Sequence, residues 1–362
     1  SYRGHWSRAA SRLAGARAPL PPWLAADVEL AATAAGESGD GTLSLDALRR
    51  FLVDPAGQFL RQRLALRLPE IEAAGEDVEP LQAPGRGLQR MQLQRAVFDA
   101  LLEGADGVDV DAPDAPDALH RRLRARGLLP SGPLGRRALA GVLDEVRPYA
   151  RHFGAWRGDA SPLALPPLEV AIDGLRLQGR LADAWPQGLA RLRFGEPNGP
   201  SAIRHGLDWL LAQAAGVELP FVEVHDGDAG IGAYPRQPIG RDAAIAVLRH
   251  LLALRADGLR RPLPFAPYSG WAFFTAADPG RGVREAKAKW RGDGRTGSWA
   301  EGDSEAVRLA LRGRDPFADA QALREFATLS RSIFSAVTRG VVEDGAVDGL
   351  ELPDDEDAED AA

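Results

Sequence analysis

The chain lacks cysteine altogether and has few lysines, since 42 of its 44 basic residues are arginines. Without cysteine it has no disulfide, no thiol nucleophile and no thiolate zinc site. It also lacks a signal peptide and any apolar run long enough to span a membrane. We therefore expect a cytoplasmic protein without membrane contact.

Several enzyme motifs are missing as well. The chain has no GxxxxGK[ST] loop, no HExxH and no GxSxG. The motifs required for P-loop nucleotide hydrolysis, for zincin proteases and for α/β-hydrolases are therefore missing. The HDGD stretch at 225–228 is interpreted as a turn rather than a metal site. His205 and Asp208 lie one helical turn apart and are interpreted as a surface pair or as a partly buried histidine. We expect no metal and no other cofactor.

Charge and length suggest three regions. The last 22 residues, 341–362, hold ten acidic residues and no basic one, which indicates a disordered acidic tail and leaves the rest of the chain at +3. Residues 1–40 are proline-rich and are interpreted as a connector from missing upstream sequence, because the chain begins without methionine. Residues 41–340 are long enough for one large domain.

The segment 42–68 predicts two consecutive helices. Ser44 suits an N-cap and Asp46 the first turn of a helix over residues 45–53. Pro55 ends that helix and starts the next, because the residue before proline avoids the α region while proline suits a first helical position. Apolar residues line one face of each helix.

Periodicity divides the rest of the chain. Helical spacing over 85–102, with a wide apolar face that includes Leu88 and Met91, gives way to an Asp/Pro-rich linker at 107–117. Alternating apolar residues then predict three strands that form a meander. The predicted strands cover 168–172, 175–183 and 189–194. Further helices are predicted at 117–126, 134–153, 201–214, 241–256, 269–276, 283–290, 304–312 and 320–338, with a strand at 217–224 and a hairpin through Tyr234.

A helix, three strands and a helix in this order match the layout of the PD-(D/E)xK nuclease core. Such a site needs an acid on strand two and [DE]-x-K on strand three, because the acids hold Mg²⁺ and the lysine orients the attacking water. Here Ala182 stands where a GxxD pattern places the first acid, and Asp183 is one residue late and faces the opposite side. Strand three carries Arg193 but no acid or lysine. The pattern predicts a nuclease-like domain without catalytic residues.

Clusters of arginines in the sequence favour DNA contact, because arginines that neutralise phosphates drive salt-sensitive binding. A solvated helix face is the alternative for each cluster. Exposed aromatic side chains could separate strands by replacing lost base stacking, which is worth roughly 1–3 kcal/mol per base. Trp185 and Tyr234 are the wedge candidates, with burial in the core as the alternative. The candidate DNA-binding residues are Arg61, Arg63, Arg67, Arg121, Arg122, Arg136, Arg137, Arg260, Arg261, Lys287 and Lys289.

An ordered set of segments resembles the C-terminal domain of RecC, the gamma subunit of exodeoxyribonuclease V, the RecBCD helicase–nuclease. The resemblance spans roughly residues 1–340, and the set is specific by its order rather than by any single motif. Its segments are LSLDALRRFLVDPAGQFLRQRLALRL at 43–68, GRL at 179–181, LDWLLAQAAG at 207–216, GLRRPLPF at 258–265, AKAKW at 286–290, residues 301–313 ending in LRG, and the FATLSRSIF helix.

The resemblance implies a mixed α/β domain, with a small central sheet flanked by many helices and a degenerate PD-(D/E)xK nuclease-like fold. It implies a non-catalytic scaffold in double-strand-break repair and homologous recombination, with RecB, RecD, duplex ends and single-stranded DNA as partners. Chi recognition resembles a task of the missing upstream portion. Two alternatives stay open, namely a protein-interaction domain without DNA contact and an active Mg²⁺-dependent nuclease whose acids (Glu169, Asp173 and Asp183) occupy a rearranged site.

Overall fold

A computed structural model describes residues 20–24, 41–68, 83–85, 87–103, 115–292, 300–347 and 350. Within these residues the protein is mixed α/β, with eleven α-helices and seven short strands in two sheets, as the sequence predicts for the fold class. The Asp/Pro-rich linker and most of the connector and the acidic tail lie outside the described residues. No described helix is long and apolar enough to cross a membrane.

The capped entrance forms as predicted. Strand β1 (Thr42–Ser44) leads into α1 (Leu45–Val53), and the Ser44 hydroxyl accepts a hydrogen bond from the Ala47 amide at 3.1 Å. Asp54 caps α2 (Pro55–Gln58) in the same way through the Gly57 amide at 2.9 Å. The second helix then widens into a π-helix, Phe59–Arg63, which buries Phe59 and Leu60.

A second group of helices comprises α3 (Gly87–Glu103), α4 (Ala115–Ala125) and α5 (Gly132–Arg157). Its core contains Val97, Phe98 and Phe153. The wide apolar face predicted for α3 is wrong in part, because Leu88 and Met91 at its start are exposed. The buried residues of α3 lie between Leu93 and Ala100, and the helix contacts both α5 and α4.

The predicted three-stranded meander is wrong, because its strands divide between two sheets. The strands are β2 (Leu168–Ile172), β3 (Leu175–Gly179), β4 (Ala184–Trp185), β5 (Gly188–Leu192), β6 (Phe221–Gly227) and β7 (Gly230–Arg236). In the first sheet β3 pairs with β2 in an antiparallel hairpin and with β1 in parallel. In the second sheet the order is β4-β5-β6-β7, with β5 and β6 parallel.

The chain leaves the first sheet after Gly179. A Cβ at Gly179 would lie 2.5 Å from a Leu211 methyl, so the strand packs closely on the helix behind it. Asp183 then adopts a left-handed backbone with φ of 56°, which turns the chain into β4. The alternating pattern that predicts one long strand over 175–183 therefore covers only β3 and the turn that leads into β4.

The long helix α6 (Gly199–Ala214) runs through the main core and is buried on almost every side. It packs closely on the last helix, since a Cβ at Gly206 would come within 2.2 Å of the Val337 carbonyl oxygen. The other helices are α7 (Arg241–Arg260), α8 (Pro267–Thr275), α9 (Pro279–Arg291), α10 (Glu305–Leu311) and α11 (Ala320–Arg339).

Residues 20–24 lie against the C-terminal helices. The Trp23 indole N–H donates to the Leu309 carbonyl at 3.0 Å, and the Arg312 guanidinium stacks 4.4 Å from the centre of the indole ring. The Leu20 amide donates to the Arg312 carbonyl at 3.0 Å. The part of the predicted connector that the structure describes, residues 20–24, therefore contacts α10 and the turn that follows it.

Candidate functional site

Carboxylates do not converge at Ala182, Asp183 and Arg193, the three positions where the sequence predicts a nuclease-like site without catalytic residues. Ala182 and Asp183 are exposed between β3 and β4, and Arg193 follows β5, half-buried. Asp183 uses its carbonyl oxygen to accept from the Ala190 amide at 3.0 Å. Among the described residues, no three histidine, aspartate or glutamate side chains are grouped so that they could hold a metal ion.

The acids of the alternative nuclease site are also separated by the sheet division. Glu169 lies on β2 and accepts from the Gln178 amide nitrogen at 2.7 Å. Asp173 lies in the turn after β2 and pairs with Arg249 at 2.6 Å, a contact that lowers the pKa of Asp173. Asp183 lies outside that sheet, just before β4. Each of the three acidic residues therefore contacts a different neighbour.

A buried guanidinium lies beside Ala182. Arg191 on β5 donates through Nη1 to the carbonyl oxygens of Ala182 at 2.9 Å and Ala190 at 2.7 Å. Its Nε donates to Asp208 on α6 at 2.6 Å, and Arg49 on α1 donates to the other Asp208 oxygen at 2.5 Å. Because both carboxylate oxygens accept from arginines, this buried acid is neutralised from two sides.

A second buried charge network lies on the neighbouring strands. Glu223 on β6 accepts from His205 Nδ1 at 2.7 Å and from Arg236 Nε at 2.5 Å. Burial alone would raise the pKa of Glu223, but the His205 and Arg236 contacts outweigh it and lower the pKa to about 2. The Arg236 guanidinium also lies 5.2 Å from the Trp209 ring centre. Glu223 is therefore a structural carboxylate that is charged at neutral pH.

These two networks decide between the two sequence interpretations: His205 is the partly buried histidine with a partner, and the surface-pair alternative is wrong. The two residues are one helical turn apart on α6, but each contacts partners from other elements rather than the other residue. Sequence reasoning missed Glu223 and Arg236 as partners. The signal available was a charged residue within an alternating apolar strand, which indicates that a counter-charge lies nearby but does not identify it.

The predicted arginines of α4 and α5 lie on neighbouring helices and are exposed. Arg136 pairs with Asp117 at 3.0 Å, and Arg122 lies 3.6 Å from Glu103. Arg121 and Arg137 are exposed on the same two helices. Such surface pairs are weak, so these four side chains remain available to solvent and to ligands.

The other predicted basic residues are scattered. Arg61 and Arg67 are exposed around the π-helix, whereas Arg63 is half-buried. Arg261 at the end of α7 pairs with both Asp257 and Glu325, so its charge is compensated. The remaining three are Arg260 and Lys289, both exposed, and the half-buried Lys287.

The two wedge candidates differ in their surroundings. Trp185 is 7% exposed, and its ring makes edge contacts with Phe153 at 5.2 Å and Trp156 at 5.6 Å between centres. This placement favours the core alternative for Trp185. Tyr234 is half-buried, stacks on His225 at 4.5 Å and donates its hydroxyl to the Gly230 carbonyl. Its ring is fixed at the hairpin end of β6 and β7.

Comparison with known proteins gives one family. The family model described as the RecC C-terminal domain matches residues 40–278, more than half of the chain. No curated protein matches the chain.

Proposed function

The chain belongs to the RecC C-terminal domain family, and on that premise we propose that it is a non-catalytic scaffold and DNA-guiding domain of a RecBCD-type helicase–nuclease. Its partners would be the RecB and RecD subunits, duplex DNA ends and the separated single strands. The work would be double-strand-break repair by homologous recombination in the cytoplasm.

The observation that carries the non-catalytic part is the Arg191 contact with Ala182. At the position where a nuclease of the PD-(D/E)xK type needs a metal-binding acid, this chain has an alanine whose carbonyl accepts from a guanidinium. The buried carboxylate that contacts the same guanidinium, Asp208, already accepts from Arg191 and Arg49. The positive charge beside Ala182 is the guanidinium of Arg191. A guanidinium cannot lower the pKa of an attacking water as a bound metal ion does. The degenerate nuclease-like fold is part of the proposal.

Exposed arginines support the DNA-guiding part. The arginines of α4 and α5 form a cationic surface on adjacent helices, and Arg61 and Arg67 add exposed charge near the π-helix. Positive side chains on a surface attract the phosphate backbone without reading sequence, which suits a domain that channels any strand. In this proposal residues 41–340 form the domain, residues 1–40 connect it upstream and residues 341–362 are an acidic extension.

Incubation of the purified chain with linear duplex DNA and Mg²⁺ or Mn²⁺ tests the non-catalytic part. We expect no divalent-dependent degradation, and no difference between the chain and its Asp183→Ala variant. Degradation that requires the divalent ion and disappears in Asp183→Ala would establish the active-nuclease alternative instead.

Binding to forked DNA at low and high salt tests the DNA-guiding part. We expect the affinity to fall steeply with salt, and replacement of Arg121, Arg122, Arg136 and Arg137 by glutamine to flatten the slope. Arg249→Gln is the matched control, because it removes a positive charge from an exposed ion pair on α7. Tight binding to RecB without salt-sensitive DNA affinity would leave the protein-interaction role.

A further inference from the structure

A cavity of about 480 Å³ lies between the end of β7 and the helices α6, α8 and α11. Its walls include Trp209 on α6 and Trp271 on α8, together with Pro235 in β7 and Ile239 just after that strand. Mostly apolar cavities of roughly 300–1,000 Å³ are typical of small-ligand sites. The cavity therefore has the size and the walls of a site for a flat apolar group.

The indole nitrogen of Trp209 is buried and has no hydrogen-bond partner among the described residues. Trp209 is 2% exposed, so this donor is also shielded from bulk water. A buried donor without an acceptor is unfavourable. An apolar side chain in the cavity would leave the Trp209 N–H unpaired, whereas a ligand with a hydrogen-bond acceptor would satisfy it.

Trp271 is a half-buried aromatic residue in the wall of the same cavity. Its ring makes an edge contact with Phe334 at 5.1 Å and a tilted contact with Phe274 at 6.0 Å between ring centres. These contacts fix the orientation of the Trp271 ring. Aromatic side chains held in this way stack on the flat rings of ligands, and nucleobases are such rings.

The charged residues of the cavity leave a positive charge at its surface. Glu223 lines the cavity, but both of its carboxylate oxygens already accept, one from His205 and one from Arg236. Arg339 at the end of α11 also lines the cavity and is exposed. Its ion pair with Glu343, at 3.4 Å, joins two surface groups and is weak. Arg339 is therefore free to exchange this pair for an anionic ligand.

We propose that this cavity binds one base of a single DNA strand, with the base stacked on Trp271, a base acceptor on the Trp209 N–H and the adjacent phosphate on Arg339. The inference rests on the proposed DNA-guiding function and deepens it by naming a site. A nucleotide has the three features that the cavity suits, namely a flat ring, hydrogen-bond acceptors and an adjacent anion. The occupant is a single strand, because the bases of a duplex are stacked and paired and do not reach a cavity wall.

Fluorescence anisotropy of a labelled oligothymidylate with the whole 362-residue chain tests the site. Trp271→Ala should weaken binding about tenfold, and Trp271→Phe, which keeps a ring, should not. Arg339→Gln should lower the slope of log affinity against log salt by about 0.7, which is about fivefold weaker binding near 0.1 M salt, and Arg339→Lys should not. Trp23→Ala is the matched control, because it removes an indole outside this cavity and should leave the affinity unchanged.

An abasic strand of the same length distinguishes a base contact from a phosphate contact. It should bind the unmodified chain more weakly than oligothymidylate does, and Trp271→Ala should not weaken its binding further. Nuclear magnetic resonance reports on the Trp209 N–H, whose signal is assigned by its loss in Trp209→Phe. That signal should shift when oligothymidylate is added and stay in place with the abasic strand. A signal that does not move with oligothymidylate would overturn the proposed contact with Trp209.

The outcomes separate this inference from the proposed function. Circular dichroism melting establishes which variants are folded, and Arg339→Gln, at the surface, tests the site even if Trp271→Ala does not fold. If the unmodified chain binds oligothymidylate and the folded variants bind it equally well, the base site is wrong while the DNA-guiding function stands. If Trp271→Ala weakens binding of the abasic strand as much as that of oligothymidylate, the cavity does not bind a base. If the unmodified chain binds no single strand at low salt, both proposals fail.

Discussion

Asp208 on α6 accepts a hydrogen bond from Arg191 on β5 at 2.6 Å, and both residues are 8% exposed. This contact joins the central helix to the second sheet. Asp208→Ala would leave the Arg191 guanidinium buried without its counter-charge. We expect a loss of about 3–5 kcal/mol in the free energy of unfolding, measured by urea denaturation.

The matched control for Asp208 is Asp173→Ala. Asp173 also pairs with an arginine, Arg249, but both groups are on the surface, so the stability should change little. Equal losses of unfolding free energy in the two variants would show that burial of the Asp208 pair does not increase its contribution to stability.

Glu223 should make the stability depend on pH in the acid range. Its folded-state pKa of about 2 lies below the ordinary 4.5, so the stabilisation is present in full above about pH 4.5 and is lost as the pH falls toward 2. The full effect is about 3 kcal/mol, measured as the difference in unfolding free energy between these pH values. Glu223→Gln should abolish this contribution, and the exposed Glu218→Gln should not. Parallel pH profiles for the unmodified chain and Glu223→Gln would refute the prediction.

Trp185→Ala separates a core role from a wedge role. Since the ring lies among Phe153 and Trp156, its removal should cost about 3–5 kcal/mol of unfolding free energy. Met91→Ala, at a side chain that is 51% exposed, should change the stability by less than about 0.5 kcal/mol. A fully stable Trp185→Ala that binds forked DNA more weakly than the unmodified chain would instead restore the wedge interpretation.

Trp23→Ala should release the segment 20–24 from α10. The variant loses the hydrogen bond to the Leu309 carbonyl and the stacking with Arg312. Hydrogen exchange reports the effect directly, because the Leu20 amide donates to the Arg312 carbonyl and should exchange faster in the variant. Trp23→Phe keeps an aromatic ring and should give an intermediate rate. An unchanged rate at Leu20 in Trp23→Ala would mean that Trp23 does not anchor the segment.

Local signals predicted most of the helices. Ser44, Asp54 and Pro55 define the start and end of α1 and α2, because capping and proline geometry act over three or four residues. The same reasoning did not foresee the π-helix at 59–63, where the packing of Phe59 and Leu60 into a shared core decides the backbone.

The strand pattern predicted strands but not their partners. Alternation identified all of β2 and β3 and most of β5, since side chains on a strand alternate between two faces whichever sheet the strand joins. The meander failed because Asp183 reverses the chain and β5 pairs with β6 rather than with β3. Strand pairing depends on contacts between residues far apart in the chain, and the alternation of residues within one strand does not determine it.

The sequence by itself determined the capped helices, the composition that excludes thiol chemistry, and the family. Only the tertiary structure decided that Arg191 meets Ala182 and Asp208, and that Glu223 meets His205 and Arg236. The physical reason is distance along the chain. Arg49 and Asp208 are 159 residues apart, and such partners are brought together only when burial makes an unpaired charge too costly.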